Sequence, residues 1–259
     1  MRITLKLWAT AFALHVAAQV DYSQYVNPFI GSEGPFEGLA FGGGDIFVGS
    51  AVPFGVAKVG LDTYEKNTSF STINGGYTPK GLVTAVSMMH ESGTGGSPKY
   101  GIISQMPLAS LNGVNILDNT TYWQKRVGQD VAQVGYFSTS LESGVKIELA
   151  GARHSGIMSY KFPAGEKHVL VDLSHYLPAE QGANDCQWFA GGSISLSVDG
   201  KTYTGHGAYG GGFSESAPMT TYVCGEFEET PDQARTFIGR NTDPVVSPNL
   251  GQQISLRTN

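Results

Sequence analysis

Five short segments in the second half of the chain alternate apolar and polar residues. They are Val145–Leu149, Ile157–Phe162, Val169–Leu173, Ile194–Val198 and Thr221–Phe227, each bounded by Gly, Pro, Asp or Asn. A period of two puts every second side chain on one face, as a half-buried strand requires, and the bounding residues mark reversals between strands. Strands of this length and spacing bury their apolar faces by packing sheet on sheet. The chain is therefore read as all-β, an antiparallel β-sandwich. Thirty-five glycines among 259 residues, with only 15% charged side chains, favour tight turns over long helices, so helix should be scarce. Asp199-Gly200, between ISLSV and TYT, has the chemistry of a hairpin turn.

Residues 1–18 read as a signal peptide rather than part of the fold. Arg2 and Lys6 give a basic start, Leu7 to Ala17 is mostly apolar but too short to span a bilayer, and Val16-Ala17-Ala18 fits a small-residue cleavage site. The mature chain, 19–259, shows no repeat, charge block or linker, and is read as one secreted, extracellular domain without a membrane partner. Loss of Arg2 and Lys6 takes the net charge from −6 to −8, which argues against a nucleic-acid surface. In an oxidising compartment Cys186 and Cys224 are expected to pair, which would add roughly 4 kcal/mol in the chain-entropy picture. Asn67-Thr68-Ser69 and Asn119-Thr120-Thr121 are N-glycosylation sequons in polar, turn-rich stretches.

In the first half, the run Ile46 to Leu61 is interrupted by Pro53-Phe54-Gly55 and should form two strands or one bent strand. Leu82–Met89 and Ile102–Leu111 are strand-like and flank a polar, glycine-rich stretch. Here His90-Glu91 is followed by Ser92, Gly93, Thr94, Gly95, Gly96, Ser97 and Pro98, then Lys99-Tyr100. Polar side chains at a rigid strand end, with glycines that let backbone amides approach a ligand, make a candidate binding loop; an ordinary hairpin connection is the alternative. Thr94 stands where a zinc helix would need its second His, and Pro98 stands where a phosphate loop would need Gly before Lys99. The polar stretch Asp118–Gln133 has room for one short helix.

Glu33, Glu37, Asp45, Asp62 and Glu91 are carboxylates in loop-rich contexts, and no pair among them stands out as an acid and base. Asp62-Thr63 reads equally as a turn cap. His90 reads either as a strand-end imidazole bonded to backbone or as a ligand contact. Tyr77, Trp123, Trp188 and Tyr209 are sugar-stacking candidates or core residues. His154, His168, His175 and His206 are too scattered to argue a metal site.

One ordered series of motifs runs through these segments. Val26-Asn27-Pro28-Phe29-Ile30-Gly31 is followed by Val52-Pro53-Phe54-Gly55 with Leu61-Asp62-Thr63, then Gly76-Tyr77. His90-Glu91-Ser92-Gly93-Thr94-Gly95 with Tyr100-Gly101 and Met106-Pro107 come next. Gly135-Tyr136-Phe137, Ile147-Glu148-Leu149 with Arg153, Tyr160-Lys161-Phe162-Pro163 and Val171-Asp172-Leu173-Ser174-His175 complete it. The series resembles the N-terminal blocks of glycoside hydrolase family 92. The resemblance implies a secreted, calcium-dependent, inverting exo-α-mannosidase acting on mannose-containing glycans. Its N-terminal β-sandwich packs on a C-terminal (α/α)6 barrel that carries the acid, the base and the calcium ligands.

On that resemblance this chain is the sandwich alone, without catalytic residues, metal or cofactor of its own. His90, Glu91, Ser92, Gly93, Thr94, Gly95, Gly96 and Lys99 are expected at the rim of the sugar site, and the C-terminal catalytic domain is the expected partner. Whether the last strand or strands of the sandwich are present stays open at this stage. So does the alternative of a stand-alone carbohydrate-binding sandwich or an inactive truncated product. His90-Glu91 and Lys99 depart from the commoner family pattern, so no linkage preference is carried over.

Overall fold

A computed structural model describes residues 20–33, 44–65, 74–93, 100–177, 187–212, 214–237 and 254–257. The expected leader, Glu37, Asn67, Thr94, Gly95, Gly96, Lys99 and Cys186 lie outside the described residues.

The first sheet has five strands in the order β1-β2-β3-β4-β9, all antiparallel: β1 (Gly49–Ser50), β2 (Val59–Tyr64), β3 (Leu82–His90), β4 (Tyr100–Leu108) and β9 (His168–Asp172). Between β4 and β9 the chain builds a second sheet, the meander β5 (Val131–Gln133), β6 (Tyr136–Ser140), β7 (Lys146–Gly151) and β8 (Gly156–Lys161). A third sheet has the order β12-β11-β10-β13, from β10 (Trp188–Leu196), β11 (Thr202–Gly211), β12 (Ser214–Glu226) and β13 (Ile254–Arg257). Among the described residues helix is confined to two 3-10 turns, Tyr22–Tyr25 and Asn119–Tyr122.

The alternating segments of the second half fold as read, each inside one strand or overrunning it by a residue or two. Asp199-Gly200 forms the β10–β11 hairpin, with Gly200 N donating to Ser197 O at 2.9 Å. Pro53-Phe54-Gly55 does split the earlier run, in a turn closed by Gly55 N donating to Val52 O at 2.9 Å.

The sandwich is formed by the first and second sheets. Val59, Leu61, Val83, Val86, Met106 and Leu108 from one meet Phe137, Ile147 and Leu149 from the other in a single buried cluster. Nine such side chains, each worth about 1.5–3 kcal/mol when fully withdrawn from water, make this the main apolar contribution to the fold. A second cluster joins Ile102 and Ile103 of β4 and Leu173 to Phe189 of β10 and Tyr209 of β11, and so holds the third sheet.

Gln105 of β4 ties all three sheets together. Its amide donates to Tyr203 Oη of β11 at 3.0 Å, and its carbonyl accepts from Tyr160 Oη of β8 at 2.9 Å. Burial in this position pushes the Tyr160 phenol well above its ordinary value.

Candidate functional site

The candidate site is built on the polar side of β2 and β3. Asp62 is fully buried in mid-strand rather than capping a turn, because β2 runs on to Tyr64. Its two oxygens are each taken by an imidazole: Oδ1 lies 2.6 Å from His90 Nε2 and Oδ2 lies 2.8 Å from His175 Nε2. The other nitrogen of His90, Nδ1, lies 2.8 Å from Lys58 O, and Ser87 Oγ lies 3.1 Å from Nε2. Lys58 O and the Asp62 carboxylate are both acceptors, so each ring nitrogen of His90 faces an acceptor.

Burial pushes the Asp62 carboxyl up, but the charges and hydrogen bonds of His90 and His175 outweigh it and hold the group below the usual carboxylate value. For His175 burial acts downward, yet the bond and charge of Asp62 raise the imidazole above its ordinary value. Phe47 stacks on the His90 ring, with centroids 5.3 Å apart and planes 12° apart. Gly60 makes room for both: a Cβ there would stand 2.8 Å from His90 Cε1 and 2.9 Å from Phe47 Cδ2.

This network fixes the end of β3. Beyond His90, Glu91 is buried, Ser92 bridges to Ile46, and Gly93 N donates to Asp45 O at 2.8 Å. Asp45 in turn accepts from Asn74 Nδ2 at 2.6 Å. On the far side of the loop, Tyr100 pairs with His90, and its N–H donates to Gln187 Oε1 at 2.5 Å. Burial and then the nearby charge of Glu91 raise the Tyr100 phenol. Gly101 (φ +62°) lets the chain pass under Leu177, whose Cγ would lie 2.3 Å from a Cβ at that position. Both stems of the 94–99 segment are therefore anchored: one by Asp62, His90 and Asp45, the other by Gln187 and Leu177.

Of the sequence-singled residues, the fold brings His90, Glu91, Ser92 and Gly93 together with Asp45 and Asp62. Glu33 lies elsewhere. It accepts from Thr78 Oγ1 at 2.8 Å and lines a pocket of about 660 Å³ with Phe29, Tyr77, Lys80, Arg126 and Asp130. Within that lining Asp130 accepts from Tyr77 Oη at 2.5 Å and from Arg126, and also from Thr139 Oγ1 at 2.6 Å, and the Arg126 guanidinium covers the Tyr77 ring at 5.2 Å. Tyr77 and Tyr209 are core residues, Trp123 is half-buried and Trp188 is 49% exposed.

Among the described residues no disulfide is seen, and the expected Cys186–Cys224 bridge is not tested by them. Cys224 is exposed on β12, and its expected partner lies outside the described residues. Asn119 is exposed at the head of its 3-10 turn. The Arg126–Asp130 pair went unnoticed in the sequence, and His175, read there as one of four scattered histidines and as the end of the motif series, was not linked to Asp62. His175 meets Asp62 across 113 residues, a separation that no local spacing announces.

Residues 25–256 match the family model described as the glycosyl hydrolase family 92 N-terminal domain. The chain is 28% identical over 229 residues to an uncharacterized secreted glycosidase of Arthroderma benhamiae, covering 82% of this chain and 26% of that protein. Among solved structures it superposes on the family GH92 α-mannosidase BT3965 from Bacteroides thetaiotaomicron with a TM-score of 0.65 at 21% identity, over 91% of this chain and 31% of that one. The GH92 inverting mannosidase BT2199 from the same organism gives a TM-score of 0.65 at 21% identity, over 91% and 28%. The chain thus spans between a quarter and a third of the length of the proteins it matches. With the motif series, the three-sheet fold and this family match in agreement, the chain belongs to glycosyl hydrolase family 92 and carries its N-terminal domain.

Proposed function

We propose that this chain is the N-terminal, carbohydrate-contacting domain of a secreted, calcium-dependent, inverting exo-α-mannosidase acting on mannose-containing glycans, and that it has no turnover alone. The observation that carries the reading is the anchored strand end at His90–Gly93, a polar, glycine-bearing rim fixed from beneath by a buried ion network. Ser92 and Gly93, with Thr94, Gly95, Gly96 and Lys99 beyond them, meet sugar hydroxyls, while His90 and Glu91 set where they stand. The α-mannosidase and inverting mannosidase that share the fold support the substrate class. The apolar leader and the secreted relative support the location.

Inversion needs one protonated and one ionised carboxyl about 6.5–9.5 Å apart with a water between them. Asp62 and Asp130 are unsuited to either part, since both oxygens of each are already bonded inside the protein. This supports a reading in which the acid and the base come from outside this chain. The calcium ligands are assigned, with the acid and the base, to the C-terminal catalytic domain that the family resemblance implies.

The test is hydrolysis of α-mannosides by the purified chain, with and without calcium, beside the product of the complete reading frame. The chain alone should be inactive and the longer product active. Turnover by the chain that disappears in Glu91→Gln would sink this division of labour.

A further inference from the structure

Three strands of the third sheet turn an aromatic, uncharged face to solvent. Along β12 Thr220, Tyr222 and Cys224 are exposed, while Met219 and Val223 pack on the inner cluster. The register carries the same face across β11 and β10: Tyr222 stands opposite His206, and His206 opposite Ser193. At the other end Trp188 pairs with Gly210, on the side away from the core residues Phe189 and Tyr209 that follow and precede them.

Both rings are held in place and remain open to solvent. Trp188 lies against Gly210, where a Cβ would stand 2.2 Å from Cε2 and Cζ2 of the indole, yet the residue is 49% exposed. Tyr222 is 79% exposed and rests against the His206 ring, with centroids 5.8 Å apart, and Ser193 Oγ lies 3.1 Å from His206 Nδ1. From Gly210 to His206 the strand advances about 13 Å, and the outward residue between them is the small Ala208. Residues 188–196, 202–211 and 217–225 contain no Asp, Glu, Lys or Arg, so an ionic ligand finds no counter-charge on these strands. Outward positions carry Ser195, Thr204 and Thr220 rather than the large aliphatic side chains that fill the centre of a protein interface. Aromatic faces interleaved with hydroxyls suit a ligand whose rings have an apolar C–H side and a rim of hydroxyls, which is a neutral oligosaccharide.

We propose that the outer face of the third sheet is a non-catalytic binding surface for the body of a glycan, an extended, neutral, mannose-containing oligosaccharide that stacks on Trp188 and Tyr222. The choice of mannose rests on the function proposed above, whereas the stacking face stands on its own geometry. Exo action engages one terminal sugar, and the rest of the glycan has to lie beyond the rim. The face begins one residue after Gln187, whose amide accepts from Tyr100 N at 2.5 Å and donates to Tyr100 O at 3.2 Å, so it is continuous in the chain with the anchor of the far loop stem.

The experiment runs the purified 259-residue chain through native gels containing soluble α-mannan, and titrates its tryptophan fluorescence with linear α-mannooligosaccharides and with α-methyl mannoside. Mannan should retard the chain, and the oligosaccharides should bind more tightly than the single sugar. Tyr222→Ala and Trp188→Ala should each weaken binding about three- to tenfold, the size of one aromatic contact. Tyr222→Ala should do so at an unchanged melting temperature, and it decides the matter where Trp188→Ala disturbs the fold. No retardation would overturn the proposal. Retardation undiminished in both variants would overturn it too, by placing the sugar at the loop stems, and would leave the function proposed above intact. A lowered melting temperature for Tyr222→Ala, or a dimer in sedimentation that this variant disperses, would also overturn it, since the ring would then serve the fold or a second copy. Binding weakened by the variants, beside a complete reading-frame product that hydrolyses no α-mannoside, would leave the face standing and remove the mannosidase.

Discussion

His175 Nε2 lies 2.8 Å from Asp62 Oδ2, and this pair joins the segment after β9 to the middle of β2 at a position where the Asp62 side chain has no exposure to solvent. The same carboxylate holds His90, so one buried charge fixes two imidazoles from distant parts of the chain.

Removing that charge should cost more than removing an ordinary polar contact. Asp62→Ala leaves two buried imidazoles without their acceptor, and breaking a buried pair in this way typically costs about 3–5 kcal/mol. Chemical denaturation of Asp62→Ala against wild type checks it. A loss below about 1 kcal/mol would show that the network contributes little to stability.

The pH dependence has a defined sign. His175 is raised in the folded state, so its contribution is complete below its unfolded value and fades as pH rises through the folded one. Asp62 is lowered, so its contribution is complete above its unfolded value and is lost as pH falls through the folded one. Stability from this network is therefore greatest in the mildly acidic window between the two unfolded values. Melting temperatures across pH should show a His175-dependent decline on the alkaline side, absent in His175→Gln.

At Gly60 the constraint is steric. Ala at this position would press its methyl into His90 and Phe47, and overpacking of this kind typically costs about 1–3 kcal/mol. Gly60→Ala should lose that much stability. If its melting temperature matches wild type, the ring stack is looser than the structure shows.

Gln105 tests whether the three sheets are coupled. Gln105→Leu keeps the volume but leaves the Tyr203 and Tyr160 hydroxyls without their amide partner, at about 1–3 kcal/mol for each group stranded. Hydrogen exchange in β8 and β11 should quicken together in this variant. Faster exchange in one strand alone would mean that the amide bridges nothing.

Strand existence was legible where alternation is unbroken, as in Val145–Leu149 and Ile157–Phe162, because a half-buried strand writes its pattern directly into sequence. Only the end of β10 could be read, since Gly191 and Gly192 and the bulge after Phe189 interrupt its first half. The grouping into three sheets was not legible, because it depends on which strand β9 returns to. The loop stems at 90–93 were recognisable from residue type. Asp62 was visible as a loop-context carboxylate, a turn cap and a member of the motif series, but not as the centre of a network, since its two partners are 28 and 113 residues away.

The return of β9 to β4 also sets an order of events. Strands β5 to β8 pair only with their neighbours in the chain, whereas Leu108 finds His168 only after the whole meander has been laid down between them. Distant pairings come after local ones because loop closure costs entropy before any contact repays it. During refolding, amide protection should therefore appear in β6 and β7 before β9. The pairing of β4 with β9 also precedes Leu173, His175 and Leu177 along the chain, so the strand that arrives late is the one that delivers the second imidazole to Asp62.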